Sequence, residues 1–306
     1  VSIARRWVIG RGLLGNAVAR ARYDEPFRIG IRWDDPRSAV SDLAAGARQF
    51  LAMPGPLEIY WCAGRGVTST QRESLFTEVG VFDAFLGELG AFPAEVRARL
   101  TIFVASSVGG AYGGVANAPH RESGPTGAAS AYGEAKLAME ESATNYARAH
   151  GWRTVLGRIT NLYGPGQDLR KGQGLISTLV NSAVTGQPAR IYVSLDTLRD
   201  YIFEDDAAAV ISAATTRASR LAPGSSVVKI IGTGRAVSIG AIIGELRRLH
   251  RRAGFALVAQ GGAAGQSRDL RVASEMWPDL DALVGISLPE GLGRVLRARF
   301  ELLARG

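Results

Sequence analysis

Gly10-Arg-Gly-Leu-Leu-Gly15 stands directly behind an apolar run, Arg6-Trp-Val-Ile9. Three glycines at this spacing, between an apolar run and an amphipathic stretch, predict a strand that turns sharply into a helix. In such a turn Gly10 permits the bend, Gly12 lets backbone approach a ligand, and Gly15 lets helix and strand pack closely. The helix then offers the amides of its first turn, with Arg11, Leu13 and Leu14 beside them, to an anion. This is the pattern of a dinucleotide pyrophosphate site. Alone it also fits a glycine-rich surface turn, so the rest of the chain must decide.

The first two-thirds of the chain alternate apolar runs with amphipathic stretches. Strands are predicted over 7–9, 29–33, 57–62, 100–105 and 154–158, and helices over 13–22, 39–51, 75–89 and 131–149. That alternation predicts an α/β fold, a Rossmann-type doubly wound parallel sheet with its ligand at the carboxyl ends of the strands. After Arg158 the pattern changes. Residues 161–167 form a turn-rich break; beyond it come an amphipathic segment (174–185), short strands (190–194, 227–231), a helix (239–251) and a mixed tail. We expect a dinucleotide-binding domain over 1–163, re-entered near 200–222, and a smaller C-terminal substrate-binding domain, mainly 164–306. The small-residue stretch 109–127 reads as a loop over the site.

With 306 residues, 46% of them hydrophobic and 21% charged, the chain can bury a sizeable core. The formal net charge of +8 comes from scattered basic residues, which argues against nucleic-acid binding and fits an anionic small-molecule substrate such as a nucleotide diphosphate. Cys62 is the sole cysteine; no intramolecular disulfide can form, and its apolar surroundings suggest a packing thiol. His120, His150 and His250 are far apart, and no metal-ligand spacing is present. No apolar stretch approaches the roughly 20 residues of a membrane helix. With no signal peptide in view, a cytoplasmic protein is expected.

Asp34 lies about 20 residues beyond the glycine turn, where an acid can accept a ribose 2′-hydroxyl of NAD. Arg32 and Arg11 could instead hold the 2′-phosphate of NADP. Both cofactors stay open, with a slight lean to NAD. Ala63 and Gly64, at the end of the strand over 57–62, would border the same ligand. Tyr132 and Lys136 share a helix face at i and i+4. An ammonium beside a phenol stabilises the phenolate, so the tyrosine could take a proton from an alcohol while hydride leaves its carbon. Ser106 and Ser107 end a predicted strand, where a hydroxyl could polarise a carbonyl.

Taken together, these residues resemble those of the extended short-chain dehydrogenase/reductase family, the sugar-nucleotide epimerases and dehydratases. Five stretches carry the resemblance: Gly10–Gly15; Val104-Ala-Ser-Ser107 with Tyr112-Gly113; Tyr132 with Lys136; Arg158-Ile-Thr-Asn-Leu-Tyr-Gly-Pro-Gly-Gln167; and Arg199-Asp-Tyr-Ile-Phe-Glu-Asp-Asp206. The resemblance implies Tyr132 as general base and acid, Lys136 as its activator and Ser107 as the third catalytic residue. Counting back from Tyr112-Gly113 instead puts Val108 in that third place. It further implies Asn161 as a substrate contact, and Arg199 and Arg268 as a clamp on the diphosphate. A salt bridge from Arg199 to Asp205 or Asp206 is the competing expectation. Homodimers joined through helices 75–89 and 131–149 are also implied.

Residues 108–110 are Val-Gly-Gly. The resembling 4,6-dehydratases and decarboxylases carry an acid there, and the fucose-nucleotide epimerase-reductases a cysteine. What remains is an NAD(P)-dependent sugar-nucleotide epimerase-like oxidoreductase, or an NADP-dependent reductase of a 4-keto sugar nucleotide or other carbonyl compound. A non-catalytic dinucleotide sensor is disfavoured, because it would need neither Tyr132 nor Lys136.

Overall fold

The computed structural model describes residues 3–168, 174–191, 193–250, 257–259 and 267–304. In chain order the elements are β1 (Arg5–Ile9), α1 (Leu13–Arg20), α2 (Pro36–Leu51), β2 (Leu57–Trp61), α3 (Arg72–Gly90), α4 (Ala94–Arg97), β3 (Leu100–Ser107), α5 (Val108–Tyr112), α6 (Ala131–His150), β4 (Arg153–Ile159) and β5 (Asn161–Tyr163). Then follow α7 (Leu175–Thr185), β6 (Ala189–Ile191), β7 (Leu198–Arg199), β8 (Tyr201–Phe203), α8 (Glu204–Ala218), β9 (Ser226–Ile231), β10 (Val237–Ser238), α9 (Ile239–Leu249), β11 (Leu257–Ala259), a 3-10 turn (Pro278–Leu283) and α10 (Leu288–Ala304).

Five of the described strands form a parallel sheet in the order β1-β2-β3-β4-β9. Their pleat explains why the runs are mostly apolar, the few charged members such as Arg6, Glu58 and Lys229 being buried as well. Trp7 and Ile9, Ile59 and Trp61, and Ile102 and Val104 face α2, α3 and α6. Val8, Tyr60 and Phe103 face the other way, toward α1 and α8. A parallel sheet buried on both faces leaves no position for a polar alternation. A third apolar cluster joins Ile176, Leu179, Tyr201, Phe203, Ile242, Leu246, Leu292 and Val295 from the later elements.

The strand expected over 29–33 is absent. Phe27 makes a single parallel bridge to Trp7, on the side of β1 away from β2. Beyond it, the Arg32 amide donates to the Asp42 carboxylate at 2.9 Å, and the guanidinium grips the same carboxylate through two more hydrogen bonds. The amide that a strand ladder would use is thus taken by α2. The chain nevertheless departs from β1 in both directions, which makes the end of β1 a topological switch point. Within the stretch 109–127 the first residues also differ from expectation: Ser107 accepts from the Gly110 amide and caps the short α5. The expected helix over 239–251 ends at Leu249, and Arg251 lies outside the described residues, as does Tyr192 of the strand expected over 190–194.

Candidate active site

The glycine turn is built as a backbone cradle. Gly10 has φ +87°, and a Cβ there would meet Ala63 at 2.4 Å. A Cβ on Gly15 would meet the Gly10 carbonyl at 1.8 Å, so α1 can lie against the turn only through glycine. Gly12 differs: a Cβ would meet nothing within 4 Å, because this residue faces open space. Gly12 is also the N-cap of α1, and no side chain caps that end. Amides directed into a bare concavity at a helix N-terminus suit an anionic ligand. Arg11, Gly12, Leu13, Leu14, Ala63 and Gly64 all line one cleft of about 1330 Å³. That exceeds the roughly 300–1000 Å³ of a single small-ligand pocket and leaves room for a dinucleotide with a second ligand beside it.

The far wall brings the proton-transfer candidates to the same cleft. Ser130 caps α6 by accepting from the Gly133 amide, so Tyr132 and Lys136 fall on the first turns of a well-started helix. Lys136 Nζ lies 5.9 Å from the centre of the Tyr132 ring and donates to the Ala105 carbonyl at 3.2 Å. Ser107, Val108 and Asn161 line the cleft as well. Asn161 donates through Nδ2 to the Asp200 carbonyl at 2.9 Å, which fixes its side chain beside β8.

Beneath this wall runs a buried polar chain. Ser106 donates to Glu140 at 2.5 Å; Arg158 grips Glu140 through three hydrogen bonds, the shortest 2.7 Å; Arg158 also donates to the Tyr112 hydroxyl at 2.7 Å. Tyr112 in turn donates to the Arg121 carbonyl at 2.8 Å. Glu140 and Arg158 are both 7% exposed at the side chain. The chain ties α6 to β3, β4 and the loop after α5, and so fixes the helix that carries Tyr132 and Lys136.

At the substrate end Arg199 also lines the cleft. Among the described residues its guanidinium donates to the carbonyls of Leu198 and Ser267, at 2.8 and 2.6 Å, and to no others. Burial lowers its pKa from the ordinary arginine value. No salt bridge to Asp205 or Asp206 forms; Asp205 pairs with Arg20 and Arg294, and Asp206 accepts from the Ile286 amide. A buried cation held only by carbonyls is a ready partner for an anion. Burial also pushes the neighbouring Tyr201 phenol up to about 12.

Three expected residues stand apart from the cleft. Arg32 is locked to Asp42, whose carboxyl the guanidinium holds down to about 2. Asp34 is 89% exposed at the side chain and pairs with Arg65 at 3.1 Å. Arg268 is 74% exposed and pairs with Asp196. Cys62 reaches the cleft wall, and burial pushes its thiol up to about 12, an unreactive protonated form. Among the described residues no cluster of His, Cys, Asp or Glu could hold a metal ion.

Arg65 and Glu78 line the cleft, and Glu140 lies buried behind its wall; none of the three was singled out from the sequence. Arg65 sits in Ala63-Gly-Arg-Gly66, a cation in a glycine-rich turn at a strand end, which was a usable signal. Glu140 follows Lys136 by a further helical turn, on the face already identified. Glu78 had no such signal; α3 reaches the cleft only because the sheet places it there.

Comparison with known proteins agrees with this layout. The profile of the NAD dependent epimerase/dehydratase family matches residues 10–230. A putative UDP-glucose 4-epimerase of Methanocaldococcus jannaschii is 32% identical over 107 residues, 35% of each chain. The chain spans about a third to a half of the length of the curated relatives it matches. Among solved structures, UDP-glucose 4-epimerase of Thermotoga maritima with UDP-glucose superposes with a TM-score of 0.74 at 19% identity, covering 92% of this chain and 86% of that one. MoeE5 in complex with UDP-glucuronic acid and NAD gives 0.73 at 21% identity, covering 95% and 97%. These structural likenesses speak for the fold. Since the family profile runs from the glycine turn through the Tyr132 helix to β9, this chain belongs to the NAD dependent epimerase/dehydratase family.

Proposed function

We propose that this protein is a sugar-nucleotide epimerase-like oxidoreductase with Tyr132 as its general base and acid. The observation that carries the reading is the shared cleft: the glycine cradle, Tyr132 with Lys136, and the carbonyl-held Arg199 all line it. When bound, NAD or NADP supplies the acceptor and donor of a hydride. Gly12 and the first turn of α1 would hold its pyrophosphate. Tyr132 removes the proton of a sugar hydroxyl and later returns it, and Lys136 holds the phenolate form by its charge. Ser107 donates to the carbonyl formed between the two steps. Arg199 forks onto the diphosphate of the substrate, remote from the reacting carbon, so that binding energy orients a sugar ring free to turn over. Val108, Gly109 and Gly110 offer no acid that would expel water.

NAD is the cofactor we favour, since the locked Arg32 is not available for a 2′-phosphate. In this reading residues 1–163 with 200–222 hold the cofactor, the remainder mainly holds the substrate, and two chains join through α3 and α6. Sedimentation should give twice the 32.4 kDa chain mass; a single-chain mass removes the dimer.

Incubation with UDP-, dTDP-, GDP- and CDP-sugars and with 4-keto sugar nucleotides, with NAD(H) and NADP(H) each supplied, tests the reading by mass spectrometry and chromatography. A separable product of unchanged mass is expected. A gain of two hydrogens from keto sugars, with NADPH consumed, would replace it with a reductase.

A further inference from the structure

We propose that Glu78 is the carboxylate that takes the ribose hydroxyls on the nicotinamide side of the cofactor. The proposal rests on the cofactor reading given above. Glu78 lines the cleft and Asp34 does not. Its Oε1 accepts from the Arg65 amide at 2.8 Å, which pins the carboxylate against the turn that follows β2. Among the described residues no hydrogen bond reaches its Oε2. A carboxylate oxygen without a protein donor in the lining of a ligand cleft is placed to accept from a ligand.

The donor it suits is set by what stands opposite. Gly64 has φ +145°, and a Cβ there would lie 3.5 Å from Glu78 Oε2 and 3.7 Å from Lys136 Nζ. The space over Gly64 is therefore flanked by an anion on one side and an ammonium on the other. A phosphate would be repelled by the carboxylate, and an apolar group would leave both charges unsatisfied. A vicinal diol satisfies both: its hydroxyl protons go to the carboxylate, and a hydroxyl oxygen accepts from the ammonium. The ribose next to the reacting ring is the diol that would lie beside Lys136 and Tyr132. Glycine at position 64 keeps this space clear.

ADP-ribose carries that ribose and ADP lacks it, so the pair isolates the contact. The full chain, freed of bound nucleotide, is titrated calorimetrically with NAD, ADP-ribose and ADP, alongside Glu78→Gln and Glu78→Asp. The glutamine presents a donor where an acceptor is needed; the aspartate draws the carboxylate back by one methylene. Both variants should bind NAD and ADP-ribose at least about tenfold more weakly and ADP as the parent does. Retained ADP binding also reports an intact fold. Unchanged affinity for all three, or an equal loss for all three, overturns the Glu78 assignment while leaving the cofactor reading in place. A parent chain that binds neither NAD nor ADP-ribose overturns both.

Discussion

Tyr132 and Lys136 owe their chemistry to neighbours as much as to each other. The lysine is anchored on the Ala105 carbonyl, at the end of the strand that delivers Ser107. Tyr132→Phe should lower kcat by about 10²–10⁴-fold while NAD affinity, read by calorimetry, is unchanged; retained turnover would remove Tyr132 as the base. Arg199 makes a second residue-scale prediction. Arg199→Lys keeps the charge and loses the fork, so KM for a nucleotide-diphosphate sugar should rise about tenfold, measured in initial rates. In sequence Arg199 and Arg268 look alike, each beside an aspartate. Only burial separates them: Arg199 is 9% exposed and faces the cleft, whereas Arg268 is paired with Asp196 at the surface. Residue types and spacing can nominate such side chains but cannot assign them a face.

At the scale of elements, α6 depends on the Glu140–Arg158 pair. Glu140→Ala leaves a buried guanidinium without its carboxylate and should cost about 3 kcal/mol in urea unfolding. The double variant Glu140→Leu with Arg158→Met should recover most of that loss; no recovery would mean that the pair itself stabilises the fold. The junction of β1 and α1 is equally exacting. Gly15→Ala drives a methyl into the Gly10 carbonyl, so α1 must move and NAD binding should be lost in calorimetry. These elements were legible because pleat, helix period and glycine spacing agree locally. The stretch 29–33 was not. Its alternation of Ile29, Ile31 and Trp33 with Gly30 and Arg32 fits a strand, and those apolar side chains do pack on the α2 side. Asp42, ten residues away, captures the Arg32 amide, and no local pattern announces that competition.

Across the whole molecule, stability should carry a trace of Glu204, where α8 meets α1. Burial raises its carboxyl from 4.5 to about 7, with only the Arg20 guanidinium at 3.5 Å opposing the shift. A carboxyl whose folded pKa lies above its unfolded value binds more protons when folded, so stability falls as pH rises from about 4.5 to 7. Glu204→Gln should flatten that fall and raise Tm at pH 8 by about 2 °C; an unchanged melting profile would show that the charge is not felt. The overall architecture was legible from β-α alternation, while the cleft's full lining was not, because Arg65, Glu78 and Arg199 meet only after the sheet has assembled. The proposed function requires that hydrogen leave a sugar carbon in this cleft and return to the same carbon. Turnover of the best nucleotide sugar in D2O, with the purified product read by mass spectrometry and proton NMR, tests it directly. An epimer of unchanged mass with no deuterium on carbon is expected. Deuterium on the ring carbons, loss of water or a net gain of two hydrogens would contradict it.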